Sequence, residues 1–154
     1  MRWAIVAGLV VVVAAADGIA LAGGGDPSDA RACQAVDHGV LPEWARTGFS
    51  EKEPKIAHVI GREGRLAAIF FGPLTAPPRR NEGNKILWVS REPQNAPSDL
   101  KLTARHLDSG EIAHRTVPNG PGPSGIDLPK AGCWRVHAAW AGRQDELDLT
   151  YTAR

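Results

Sequence analysis

The nine residues GCWRVHAAW, positions 132–140, bring a cysteine, an arginine, a histidine and two tryptophans into one short run. Three chemistries draw on such a set. A thiolate beside a base makes a nucleophile, cysteine with histidine holds a metal, and a cysteine with a remote mate makes a crosslink. Read as a strand, the run places Trp134, Val136, Ala138 and Trp140 on one face and Cys133, Arg135, His137 and Ala139 on the other. Cys133 and His137 then stand about 13 Å apart, too far to share a proton or an ion on a straight strand. The chain has one other cysteine, Cys33. In an oxidising compartment an even pair is most simply a disulfide, so a Cys33–Cys133 bridge is expected, with the indoles facing the core and the sulfur facing outward. A loop of about 100 residues closed in this way is worth up to ~4.7 kcal/mol in chain entropy.

The remaining chemical candidates are weaker. His38, His58, His106, His114 and His137 occur singly, without the close pairs that preorganise a metal site. The metal alternative, copper or zinc held by His137 with loop histidines, would need remote parts of the chain to converge. Ser124 in GPGPSG lacks the G-x-S-x-G setting, and Pro121 and Pro123 remove N–H groups that an oxyanion cradle would use. Glu146 and Asp148 share a strand face about 7 Å apart, a spacing suited to acid/base work on a sugar; solvated charges that discourage edge pairing are the commoner reason for such residues. No cofactor motif is present. The loop APPRRNEGNK carries Arg79, Arg80 and Lys85 on a proline-stiffened projection and is the best candidate for contact with a partner or an anionic surface.

The whole chain bounds what these residues serve. With 154 residues, 43% of them hydrophobic and 23% charged, it has the composition of one globular domain. A net charge of +1 without a long basic block disfavours nucleic acid as a partner. Arg2 followed by the uncharged residues 3–16 and then small residues has the layout of an export signal, with cleavage options after Ala16 and after Ala22. Retention as a membrane anchor is the alternative. Residues 3–16 would span only about 21 Å of a core about 30 Å thick, and membrane contact is expected through this segment alone. An exported location at the cell surface or beyond follows.

The segments that must position these residues read as strands. Seventeen glycines and twelve prolines, mostly between short apolar runs, predict an all-β fold with many turns. KIAHVIG (55–61), RLAAIFFG (65–72), NKILWVSR (84–91), DLKLTARHL (99–107), EIAHRTV (111–117), IDLP (126–129), CWRVHAAW (133–140) and DELDLTY (145–151) give about eight, the spacing of a sandwich or barrel. Residues 1–22 are the expected signal or anchor, 23–54 a flexible leader and covering segment, and 55–154 the sandwich. Pro42 and Gly48 bracket a helical turn. RLAAIFFG and NKILWVSR are apolar on both faces and need a cover on each; Trp44 and Phe49 are placed to supply one.

Through FFGPL with the following PP, NKILWVSR, GPGPSGIDLP and AGCWRVHAAW ending in DLTY, residues 56–151 resemble a family of uncharacterised exported actinobacterial proteins. The resemblance implies a secreted or surface-held module with an immunoglobulin-like sandwich of seven to eight strands, and it carries no functional residue across. Many of those relatives are lipid-anchored; Cys33, in DARAC and well past the apolar run, departs from that pattern.

Overall fold

A computed structural model describes residues 32–80 and 83–154. The expected signal or anchor, its cleavage options and the leader as far as residue 31 lie outside the described residues. Among the described residues no helix is long and apolar enough to cross a membrane.

Among the described residues nine strands occur: β1 (His58–Ile60), β2 (Leu66–Phe70), β3 (Thr75–Ala76), β4 (Lys85–Ser90), β5 (Leu100–His106), β6 (Ile112–Val117), β7 (Pro123–Gly125), β8 (Gly132–Trp140) and β9 (Arg143–Ala153). They form a four-stranded sheet in the order β1-β2-β4-β7 and a five-stranded sheet in the order β3-β9-β8-β5-β6. All pairs are antiparallel except β3 with β9. IDLP, expected as a strand, is not one. Pro123–Gly125 pairs with β4 instead; the Ile126 N–H extends that pairing by one bond to the Asn84 carbonyl, and the Ile126 and Leu128 side chains drop into the core. The proline-rich stretch after β2 contributes only the two-residue edge strand β3, as its missing N–H groups require.

Strand alternation builds the core. Trp134, Val136, Ala138 and Trp140 point inward from β8, and Leu147, Leu149 and Tyr151 from β9. They meet Leu66, Ala68 and Phe70 of β2 and Ile86 and Trp88 of β4 in one apolar cluster. Each indole keeps a partner for its N–H: Trp88 donates to Ser124 Oγ, Trp134 to the Lys130 carbonyl and Trp140 to Ser90 Oγ. The β8–β9 hairpin is tighter than the four residues AGRQ suggest. Trp140 pairs with Arg143 across the two-residue turn Ala141-Gly142, whose φ angles are +44° and +73°, the signature of a primed turn that suits strand twist.

The second face of the four-stranded sheet has its own cover. Leu41 and Ala45, in and beside the 3₁₀ turn Glu43–Ala45 that Pro42 opens, pack on Ala67 and Ile69, and Trp44 and Phe49 join Leu87 and Val89 around them. The sulfurs of Cys33 and Cys133 lie 2.09 Å apart, at disulfide distance, with Cα atoms 5.7 Å apart. The chain from Cys33 thus starts on the outer face of the five-stranded sheet, pairs Asp37 with His58 at the edge of β1, and ends on the outer face of the other sheet. It straps both outer faces.

Candidate functional site

Three groups of polar side chains decide what this architecture can do. The first lies under the strap. Asp148 and Glu146 share the outer face of β9 as the alternation requires, yet Asp148 is only 1% exposed. The expectation of solvated charges fails there because the strap and two arginines cover it. Arg62 Nη2 donates to Asp148 Oδ2 at 2.9 Å, Arg135 Nε donates to Oδ1 at 3.0 Å, and the Gln34 backbone N–H donates to Oδ2 at 3.1 Å. Those hydrogen bonds hold the Arg135 guanidinium above its ordinary pKa despite partial desolvation, with the charges of Asp148 and Glu146 adding to the effect. Glu146 accepts from Arg62 Nε at 3.1 Å. Asp148 is thus buried between two cations that hold it as a structural anion, whereas Glu146 stays part-exposed beside them.

Cys33, Cys133 and Asp148 offer donor atoms within 4.8 Å of one another. The sulfurs are bonded to each other and the carboxylate is taken by arginines, which leaves this trio unfit for a cation. The histidines are not uniformly superficial, as their scatter suggests. His58 and His106 are buried; His58 Nδ1 bonds the Ile56 carbonyl, and His106 bonds Ser109 and the Ala131 carbonyl against the edge of Trp134. His137 lies exposed on β8 beside Gln144, and His114 lies on β6 beyond Thr103. Ser124 Oγ is occupied by the Trp88 indole N–H, so GPGPSG serves the core.

The second group is Asp145, which residue types alone leave undistinguished from its acidic neighbours. Period two places it on the inner face with Leu147, and the side chain reaches the β1–β2 turn. Its carboxylate accepts four backbone N–H groups: Glu63 at 2.9 Å, Arg65 at 2.8 Å, Leu66 at 3.0 Å and Glu146 at 2.8 Å. A Cβ at Gly61 would stand 2.2 Å from this carboxylate, which accounts for the glycine. The interaction ties one sheet to the other at that end.

The third group lies at the opposite end of β2. Asn84 is buried; its side-chain oxygen accepts the Thr75 N–H at 2.8 Å, and its amide donates to the Thr75 carbonyl at 3.0 Å and to Asp127 at 2.7 Å. The proline-stiffened loop is therefore pinned at its root. A cleft of about 200 Å³ opens there, lined by Phe71, Thr75, Arg79 and Lys85 among others. Of the three cations singled out from the sequence, Arg79 and Lys85 line this cleft and Arg80 is exposed outside it. Phe71 also lines this cleft, and residue types did not single it out. The alternation Leu66, Ala68, Phe70 inward already turned it outward, and it is 57% exposed.

No family model matches the chain, and no curated protein and no solved structure is significantly similar to it.

Proposed function

We propose that this chain is an exported, envelope-held binding module of immunoglobulin-like architecture that catalyses no reaction and meets its partner at the cationic end of the four-stranded sheet, through Arg79, Arg80 and Lys85. The observation that carries the reading is that end itself: an exposed aromatic ring and two cations lining one cleft, at a loop whose root is held by the buried Asn84–Thr75 pair. A contact surface needs this combination of accessible apolar area, charge and a rigid base.

The strand order supports the immunoglobulin-like identity. The run β9-β8-β5-β6 corresponds to a G-F-C sheet extended by C′, and β2-β4-β7 corresponds to A-B-E, with β1 added outside. The bridge departs from the antibody pattern, in which it crosses the core; here Cys133 sits on the F-like strand but faces outward. Export is supported by the cysteine pair at disulfide distance, which persists where thiols are oxidised, together with the signal-like start of the sequence. The resemblance to exported actinobacterial proteins points the same way.

Fractionation of the cells that make the protein, followed by sedimentation of purified protein with their isolated envelopes, tests the proposal. The exported form is expected to carry no titratable thiol and to co-sediment. The triple change Arg79→Glu, Arg80→Glu, Lys85→Glu should abolish co-sedimentation while leaving thermal unfolding unchanged. Protein recovered only from the cytoplasm, or sedimentation indifferent to the triple change, would refute it.

A further inference from the structure

We propose that the row Phe71–Lys85–Gly125 is a binding site for a small amphipathic carboxylate, an anionic head on a short aromatic or apolar body; this rests on the binding-module reading above.

The row follows from register. Phe70 pairs with Ile86, so the next residues, Phe71 and Lys85, are neighbours, and the Phe71 N–H donates to the Lys85 carbonyl at 3.4 Å. Lys85 in turn pairs with Gly125 of β7. By alternation all three stand on the outer face with Ala67, Ile69, Leu87 and Val89. The strap covers those four, with Trp44, Phe49 and Ile56 packed against that face, yet it leaves the Phe71 ring largely uncovered. Phe71 is 57% exposed where its neighbour Phe70, on the inner face, is 6% exposed.

Gly125 leaves the row open. A Cβ there would meet nothing within 4 Å, and the space above it continues into a cleft of about 480 Å³ whose walls include Phe71, Lys85, Ile86 and Pro123. On the other side of Phe71 lies the recess of about 200 Å³ that holds Thr75 and Arg79. Phe71 and Lys85 line both, so one ligand can span them. The combined space is of the size small-molecule sites have.

Charge and polarity divide the two halves. The recess presents the cations Lys85 and Arg79, and Lys85 forms no ion pair among the described residues. Thr75 in its floor carries a buried hydroxyl with no hydrogen-bond partner, a group that gains from any acceptor brought near it. The wider cleft offers Pro123 and the Phe71 ring. An anionic head belongs in the first half and an apolar body in the second. The head is compact, because the recess is narrow and Lys85 is the cation shared by the two halves.

Titration of the full chain with 4-phenylbutyrate and octanoate, followed by amide NMR shifts, tests the assignment. Saturable shifts are expected at Phe71, Lys85 and Gly125. Acetate, which lacks the body, and 4-phenylbutanamide, which lacks the charge, should bind about tenfold or more weakly. Lys85→Gln should weaken 4-phenylbutyrate by a similar factor. Gly125→Leu, which fills open space at an ordinary φ, should abolish the shifts while leaving the near-ultraviolet spectrum intact. Failure of both carboxylates to saturate, equal binding of the amide, or binding retained in both variants would overturn the proposal. Envelope sedimentation that survives such a failure keeps the module reading, and its loss removes that reading separately.

Discussion

Asp145 provides the sharpest test of how the two sheets are joined. The perturbation is Asp145→Asn, compared with Asp145→Ala. The carboxylate accepts four backbone N–H groups at 2.8–3.0 Å, two on each oxygen. Hydrogen bonds to a charged acceptor contribute about 1.5–3 kcal/mol each, and a buried donor left unpaired costs about 1–3 kcal/mol. Glu63 and Arg65 are exposed and their N–H groups can turn to water; Leu66 is buried and its N–H cannot. Discounting the first two, the alanine variant should lose about 3–4 kcal/mol. Asparagine keeps one oxygen but sets an NH₂ group against two N–H donors, so it should lose nearly as much. That is a large share of the 5–15 kcal/mol of a typical domain and corresponds to a fall of roughly 2 M in the urea midpoint. The assay is equilibrium urea unfolding followed by tryptophan fluorescence with the disulfide kept oxidised. Glu146→Gln, which alters only the part-exposed ion pairs with Arg62 and Arg135, should shift the curve by less than about 1 kcal/mol. An asparagine variant within about 1 kcal/mol of the parent, with unchanged slope, would refute the reasoning.

Three further outcomes are expected. Reducing Cys33–Cys133, which are separated by 100 positions, should lower stability by up to ~4.7 kcal/mol and release the strap, measurable as a lower urea midpoint with reductant; an unchanged midpoint would show that the strap holds without its bond. Ala141→Gly should raise stability by roughly 0.5–1 kcal/mol, because alanine at φ +44° bears a left-handed penalty that glycine avoids; a lower melting temperature would contradict it. Tyr151 is the only tyrosine, is buried, and donates its hydroxyl to the Ile126 carbonyl. Burial, with the charge of Asp127 assisting and Arg115 opposing, raises its pKa far above the phenol range. Its contribution should be complete below the unfolded value near 10 and fall as pH rises beyond it; phenolate absorbance appearing at pH 10 in folded protein would disprove this.

The elements were largely legible in the residues. Period two in CWRVHAAW and DELDLTY places indoles and leucines inward and Cys133 outward, since a strand can present its side chains in only two directions. Doubly apolar strands announce a second cover, and Trp44 and Phe49 are part of it. IDLP failed as a strand because apolar alternation reports burial: Ile126 and Leu128 are buried, and the pairing with β4 ends at the Ile126 N–H bonded to the Asn84 carbonyl.

The all-β class, the inward face of the last hairpin and the cysteines available to pair can be read from the order of residues, because each depends on neighbours a few positions apart or on simple count. The burial of Asp148 between Arg62 and Arg135, the hold of Asp145 on a turn some eighty positions away and the shared row of Phe71, Lys85 and Gly125 came from the folding of distant segments onto one another. A carboxylate's role is set by what stands within 3 Å of it, and that distance bears no fixed relation to separation along the chain.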